Sequence, residues 1–340
     1  MSPRVLHVLE SKQPSAGSVA ICLPDLIEAL RTAGFDGVAS DNSNEVSAQI
    51  PSSQLVHIHG WNYSLALQAA REAKKSRTSY IISPLGALTP GPANRGGFFE
   101  RLRRRFTDLP LVRSAAALTA LNELDRRWLQ EAKAHSNVVL LLYGHRFQDP
   151  ASSSTRNGER PKTVMVLGPL DPALGCVVAL KAFAELGSAA DGWTITLAGN
   201  DTGHWREKLE AAVRRKGGEN RVAFVETGVT RNHQSFLENA GILAAPSLHV
   251  SLAVSIMQAL DAGVPVVATR LAAPPGLNGS LFECGATRAE FRHALQSAMQ
   301  MSPAPRNEKT AAARETARSL FDWSVLAPKY AELYRVSVKN

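Results

Sequence analysis

Cysteines and long apolar runs are both scarce in this sequence. Three cysteines occur in 340 residues, at Cys22, Cys176 and Cys284. Because they are widely spaced and odd in number, they argue against a disulfide framework and predict buried, reduced thiols. No apolar run approaches the roughly 18 residues of a transmembrane helix, and the opening MSPRVLHVLESK lacks the architecture of a signal peptide. We therefore expect a cytoplasmic protein of about two domains.

Metal-ligand spacing is also absent along the chain. The nine histidines do not recur at ligand spacing on any one predicted helix. We therefore expect no metal ion, and the sequence indicates no other cofactor.

Acidic residues are fewer than basic ones, which gives a net charge of +8. Residues 95–106, RGGFFERLRRRF, carry five of the arginines and one glutamate. Apolar residues recur there at three- and four-residue intervals, which predicts a helix with an apolar face and with Arg101, Arg104 and Arg105 towards the other side. Such a helix either lies on an anionic membrane surface or packs on the core, and both interpretations stay open. No nucleic-acid motif occurs, so we expect no nucleic-acid partner.

Short apolar strands alternate with helical patterns in both halves of the chain. This alternation predicts the α/β class, with a doubly wound parallel sheet in each of two domains. The stretch DPASSSTRNGERPK at 149–162 has almost no apolar content and is typical of a linker. We expect Rossmann-like domains at 1–150 and 151–322, and a final helix at 323–340 that packs back on the first domain. The predicted strands are Val5–Leu9, Leu55–His59, Ser79–Ser83, Ala116–Ala120, Val138–Leu142, Thr163–Leu167, Thr194–Ala198, Val222–Val225, Ile242–Ala245 and Val264–Ala268.

Ligands of such sheets bind at the carboxyl ends of the strands, so the loops there are candidate sites. After the first strand, Gly17 and Ser18 precede a helix and form either a phosphate cradle or a tight turn that needs glycine. His57 and His59 share one face of a strand, and we favour a structural role for both over ligand contact. ISPLGALTP at 82–90 carries no charge, and PSLHVSLAVSIMQALDAGVPV at 246–266 has no ionisable side chain from Val250 to Ala259.

Several segments, in order along the chain, carry the pattern of a known family. HIHGW and SPLGALTP are similar to its "HxHG(L)W" and "SP(H/R)G(M/A)L", and VMVLGPLDPALGCVVALKAFAEL is similar to "GRLxxxKGxDxLLxAFAxL". PSLHVSLAVSIMQALDAGVPVVAT is similar to "PSxxEGFGxxxxEAxAxGxPVVAT". The chain thus resembles the retaining, nucleotide-sugar glycosyltransferases of family 4 (group 1). The resemblance implies the GT-B architecture, in which an acceptor-side and a nucleotide-sugar-side domain face each other across a cleft.

The resemblance also locates the family's functional positions, and most are occupied by uncharged residues. The two family glutamates that hold the donor sugar and ribose fall at Val250 and Gln258, and the diphosphate-binding Arg and Lys fall at Pro169 and Leu174. The His or Arg near the reacting sugar falls at Leu85. We therefore assign no catalytic residue. Donor-side candidates are Gly168, Gly199, Asp201, His249, Ser251, Leu252 and Gln258, acceptor-side candidates are Gly17, Ser18 and His59, and Arg270 and Lys162 are alternative cations.

Two functions of different classes stay open at this point. One is a glycosyltransferase of envelope or exopolysaccharide synthesis that uses a nucleotide sugar as co-substrate, without a metal, on a glycan or lipid-linked acceptor. The other is a catalytically silent relative that acts as a binding or regulatory subunit, with an active glycosyltransferase as its partner. Both are expected in the cytoplasm, with residues 95–106 as the candidate contact to the inner face of the membrane.

Overall fold

The fold consists of two six-stranded parallel sheets with helices, in a computed structural model of the chain. The structure describes residues 2–11, 18–61, 63–88, 108–149, 160–201, 203–215, 218–227, 233–247 and 253–338. Several residues singled out from the sequence lie outside these ranges: Gly17, Arg101, Arg104, Arg105, His249, Val250, Ser251 and Leu252. The helix predicted at 95–106 lies outside them as well.

The elements follow each other along the chain in strand–helix alternation. The strands are β1 Arg4–Leu9, β2 Asp36–Ser40, β3 Leu55–His59, β4 Ser79–Ser83, β5 Ala117–Ala120, β6 Val138–Leu140, β7 Thr163–Leu167, β8 Thr194–Ala198, β9 Val222–Val225, β10 Ile242–Ala245, β11 Val266–Thr269 and β12 Phe282–Cys284. The helices of the described ranges are α1 Ser18–Thr32, α2 Ser43–Gln49, α3 Ser64–Ser76, α4 Leu109–Arg113, α5 Glu123–Glu131, α6 Cys176–Ala184, α7 Arg206–Arg214, α8 Gln234–Glu238, α9 Val254–Asp261, α10 Arg288–Gln300, α11 Pro303–Phe321 and α12 Trp323–Val338. No helix of the described ranges is long and apolar enough to cross a membrane.

The first compact unit comprises residues 1–144 and 321–340. Its sheet has the strand order β2-β1-β3-β4-β5-β6, and every neighbouring pair is parallel. The central strands are buried on both faces, which explains their near-continuous apolar sequences. The final helix α12 packs against α1 within this unit, and Arg335 donates a hydrogen bond to the carbonyl of Ala33.

The second compact unit comprises residues 145–320. Its sheet has the order β12-β11-β10-β7-β8-β9, again with parallel neighbours. Helix α10 packs against α6 over an apolar core to which Phe183, Phe291 and Leu295 contribute. All three cysteines are free and buried, as predicted.

The second unit begins earlier than the position expected from the linker composition. Asp261 accepts hydrogen bonds from His145 Nε2 at 3.1 Å and from the backbone N–H of Gln148 at 3.2 Å. Arg314 donates to Gln148 O at 2.6 Å and to Asp261 Oδ1 at 2.9 Å. These contacts hold residues 145–149 on α9 and α11, so the boundary falls between 144 and 145 rather than after 150.

Two strands and one long helix differ from the sequence-based expectation. Strand β2, DGVAS, and strand β12, FEC, were not predicted, because neither contains an apolar run longer than two residues. Helix α11 was not predicted either. Helix α9 begins at Val254, directly after Ala253, which adopts a left-handed conformation with φ of 53°.

Candidate functional site

The carboxyl edge of the second sheet is built from backbone segments that approach each other closely. Gly168 follows β7 and Gly199 follows β8, and a Cβ atom on Gly199 would lie 1.8 Å from Gly168 O. Backbone hydrogen bonds from Gly168 N to Ala198 O and from Leu170 N to Asn200 O, both 3.0 Å, join the two loops. Only glycine fits at position 199, so the backbones of the two loops are held in direct contact at this edge.

A second close approach lies beside it. Gly175 precedes α6 with φ of 85°, and a Cβ atom there would lie 2.0 Å from Pro246 O. Thr269, at the end of β11, donates a hydrogen bond from its hydroxyl to Ser247 O at 2.5 Å, which links β11 to the loop after β10. The loops after β7, β10 and β11 are therefore held together at this edge.

The two positions at which the resemblance implies cations contain none. Pro169 and Leu174 are half-buried and uncharged, and they lie in the loop between β7 and α6. Of the alternative cations, Lys162 immediately precedes β7 and so lies at the opposite, amino edge of the sheet. This position removes Lys162 as a candidate, because the five-residue strand separates it from the carboxyl edge by roughly 16 Å.

Arg270 is better placed than Lys162. It directly follows β11 at the carboxyl edge, and its side chain is 76% exposed. Its Nε atom lies 3.7 Å from Glu283 Oε1, so part of its charge is offset by a neighbouring carboxylate. An exposed, partly paired guanidinium is a weak substitute for two cations held against a diphosphate.

Asp201, a donor-side candidate, is engaged as a helix cap. Its carboxylate accepts from the backbone N–H groups of Trp205 at 2.7 Å and Arg206 at 3.0 Å, at the start of α7. Desolvation acts to raise the pKa of Asp201, but these backbone hydrogen bonds outweigh it, and the pKa lies below its ordinary value. Helix capping therefore accounts for the position of this carboxylate.

Gln258 lies on α9, where the family has a ribose-binding glutamate. Its Oε1 atom is 2.9 Å from His233 Nδ1. Burial lowers the pKa of His233, so the ring is neutral near pH 7 and Nδ1–H donates to the amide oxygen. The sequence did not indicate His233, which lies 25 residues away along the chain.

Two residues of the family-like loops have strained backbones. Leu85 and Ala253 both have φ of 53°, in the left-handed region that disfavours residues with a Cβ atom by about 1–2 kcal/mol. Leu85 lies in the turn after β4, and Ala253 directly precedes α9. Strain of this kind is retained where surrounding structure demands a particular loop path.

The first unit contains a buried cluster of three histidines on neighbouring strands. His7 lies on β1 in register with His57 on β3, and His59 is two residues further on the same face. All three side chains are almost completely buried. Their rings lie 4.0 Å (His57–His59), 5.2 Å (His7–His59) and 5.8 Å (His7–His57) apart between centroids.

Side chains from three other elements complete this cluster. His57 contacts Tyr334 OH through Nδ1 at 2.6 Å and Ser83 Oγ through Nε2 at 2.8 Å. His59 contacts His7 Nδ1 through Nε2 at 2.9 Å and the hydroxyl of Tyr143 through Nδ1. Both nitrogens of His57 and His59 are thus engaged, which favours the structural interpretation and gives no surface at His59 for an acceptor.

Burial also decides the charge of the cluster. It lowers the pKa of His7 to about 3 and lowers the pKa values of His57 and His59 well below the ordinary value. One ring nitrogen of each histidine lies within 4.8 Å of those of the other two, which is the spacing of metal ligands. Helix spacing could not reveal this group, because β1 and β3 bring together residues about fifty positions apart.

Comparisons with known proteins agree with this architecture. Residues 161–301, less than half of the chain, match the family model for glycosyl transferases group 1. Sucrose-phosphate synthase (tll1590) from Thermosynechococcus elongatus has a TM-score of 0.75 and 15% identity, with 98% of both chains covered. Anabaena Alr3699/HepE in complex with UDP and glucose has a TM-score of 0.75 and 16% identity, over 98% of this chain and 100% of that one. No curated protein sequence matches the chain.

A third solved structure is also similar over its full length. Alpha,alpha-trehalose 6-phosphate synthase from Burkholderia multivorans has a TM-score of 0.69 and 13% identity, over 100% of this chain and 98% of that one. The α/β fold class predicted from the sequence is confirmed. The chain has the GT-B fold, and its second unit resembles the group 1 glycosyltransferases.

Proposed function

We propose that this protein of GT-B fold acts in glycan assembly, as a glycosyltransferase that takes a nucleoside diphosphate sugar at the carboxyl edge of its second sheet. Transfer with retention, to a glycan or lipid-linked acceptor of envelope or exopolysaccharide synthesis, is the reaction that the resemblance implies. The observation that carries the proposal is the close backbone approach at Gly168, Gly199 and Gly175, which lies inside the segment that resembles group 1 enzymes. A similar fold binds UDP-glucose in Anabaena Alr3699/HepE.

A second candidate is a catalytically silent subunit that binds a partner transferase. It is favoured by the chemistry of the same edge, where Pro169, Leu174 and Gln258 are uncharged at positions that the family uses for charge. One preorganised group that stabilises a developing negative charge contributes about 3 kcal/mol to catalysis. Loss of two such cations therefore lowers the rate by roughly 10⁴-fold.

One experiment separates the two candidates. The purified chain is titrated calorimetrically with uridine, guanosine and adenosine diphosphate sugars, and nucleotide release is followed with and without glycan acceptors. Turnover of one donor, with the product's anomeric configuration retained by NMR, supports the transferase. Binding without turnover supports the silent subunit. If no donor is bound and no donor is turned over, the proposed use of a nucleotide sugar at this edge is wrong.

Membrane association is the remaining part of the proposal and rests on sequence. Five arginines and four aromatic or aliphatic side chains of residues 95–106 suit a helix on an anionic lipid surface. A lipid-linked acceptor would be reached from such a surface, which links this segment to the proposed activity.

A further inference from the structure

We propose that His7, His57 and His59 form a closed binding site for one transition-metal ion of the imidazole-binding class, for which zinc is the probe. The site lies wholly within the first unit and is independent of any nucleotide-sugar chemistry. No metal site was expected from the sequence, because no single predicted helix carries histidines at ligand spacing.

The geometry requires only a small movement of side chains. His7 Nδ1 and His59 Nε2 are 2.9 Å apart, and one ring nitrogen from each of the three histidines lies within 4.8 Å of the other two. Two nitrogens bound to a tetrahedral zinc ion at about 2.05 Å are about 3.3 Å apart. The closer pair must therefore open by about 0.4 Å, and a pair at the 4.8 Å bound must close by about 1.5 Å, which side-chain torsions can provide.

Two of the three histidines already have one ring nitrogen held by a tyrosine hydroxyl. A metal-bound histidine is oriented by a hydrogen bond from its other nitrogen, which also sets the tautomer. Tyr334 OH contacts His57 Nδ1 and Tyr143 OH contacts His59 Nδ1, which leaves Nε2 of each ring for the ion. For His57, the ion would replace the contact of Nε2 with Ser83 Oγ. Among the residues that the structure describes, His7 Nε2 has no hydrogen-bond partner, so a hydrogen can reside there when Nδ1 binds the ion.

The chemistry of the ligand atoms also suits a metal. All three imidazoles are buried, so an ion held among them is shielded from water. Three imidazoles without a thiolate favour zinc, copper or nickel over calcium or magnesium. Ser83 Oγ, which contacts His57 Nε2, offers an oxygen for a fourth position.

Because the three histidines are buried, we expect the metal to enter as the chain folds, and the test therefore uses refolded protein. The full chain is unfolded with chelator, refolded with or without one equivalent of zinc, and gel-filtered, and bound zinc is measured by mass spectrometry. We expect about one zinc ion retained per chain and a rise in Tm of several degrees relative to the metal-free protein. Refolding with Co²⁺ should give the visible absorption bands of a tetrahedral nitrogen site.

Variants identify the ligands and exclude adventitious binding. His7→Asn and His59→Asn should each abolish retention, whereas His293→Asn, which removes an exposed histidine, should leave it unchanged. Tyr143→Phe keeps every imidazole and removes one orienting hydroxyl, so zinc affinity should fall by about 10- to 100-fold. The proposal is overturned if the wild type retains no zinc, or if it retains zinc equally in the His59→Asn and His293→Asn variants. The wild-type measurement stands even if a histidine variant fails to fold.

Discussion

Placing charge at the carboxyl edge of the second sheet should strengthen donor binding, which we expect to be weak in the natural chain. With Pro169 and Leu174 uncharged, we expect the unmodified chain to bind nucleoside diphosphate sugars with dissociation constants of about 1 mM or weaker, or about −4 kcal/mol. A charge-assisted hydrogen bond contributes about 1.5–3 kcal/mol. Because both positions are half-buried and solvent screens them, the lower value applies, and Pro169→Arg with Leu174→Lys should together contribute about 3 kcal/mol.

This free energy corresponds to about 100-fold tighter binding in a calorimetric titration with uridine diphosphate sugars. Adding Val250→Glu and Gln258→Glu should strengthen binding further, and a carboxylate at 258 can still accept from His233. Either cation alone should tighten binding by less than about 10-fold, because the groups act on one ligand and their effects couple. The matched control is Asp191→Lys, which makes the same change of two charges at the exposed turn before β8, at the amino edge.

Two results would refute this reasoning. If Asp191→Lys tightens binding as much as the paired cations do, the gain is a long-range charge effect and the edge is not a donor site. If the unmodified chain turns over a nucleotide sugar at about 1–10 per second, an ordinary enzymatic rate, the missing charges are supplied elsewhere. Arg270 would then be the first residue to replace.

Three further predictions concern stability and location. Gly199→Ala should destabilise the second unit by more than about 3 kcal/mol in urea unfolding, because its Cβ atom meets a backbone carbonyl. The control Gly187→Ala, at φ of 55° with open space around it, should lose only about 1 kcal/mol. Equal losses would contradict the close approach. Desolvation acts to raise the pKa of Asp261, but hydrogen bonds from His145, Gln148 and Arg314 outweigh it and hold the pKa below its ordinary value. The carboxylate therefore stabilises the fold above about pH 4, and this stabilisation is lost as the pH falls through the folded-state pKa. The difference in unfolding free energy between the wild type and Asp261→Asn should shrink on acidification, and a constant difference would refute this. Flotation should show binding to anionic and not neutral liposomes, abolished when the arginines of 95–106 become glutamine; equal binding to both lipids, or to neither, rules the segment out as a membrane contact.

Much of the framework could be predicted from local sequence. Six of the predicted strands have the observed bounds, among them Leu55–His59 and Thr163–Leu167, because a strand buried on both faces is a short apolar run between turn residues. Strands β2 and β12 carry no such run and are recruited by pairing with β1 and β11. The strand–helix alternation was sufficient to predict two parallel sheets, since parallel neighbours require crossover connections.

The candidate site was only partly predictable. The motif order located the loops of the donor edge and showed that Pro169, Leu174 and Gln258 are uncharged, because residue identity at a motif position is local information. The partner of Gln258 was not predictable, since His233 reaches it from another helix-start segment. The hydrogen bonds by which Asp201 caps α7 became certain only once the start of that helix was known. The position of Lys162 at the amino edge likewise depended on where β7 begins.

Only the tertiary structure decided the polar contacts between distant segments. The sequence by itself determined ten of the twelve described strands, the strand–helix alternation and the absence of charge at the positions where the family resemblance implies donor contacts, since each depends on neighbouring residues. The parallel register of β1 and β3 decided that His7 meets His57 and His59, and α12 supplied Tyr334 from the other end of the chain. Hydrogen bonds and metal sites require atoms within a few ångströms in space, and separation along the sequence carries almost no information about that distance.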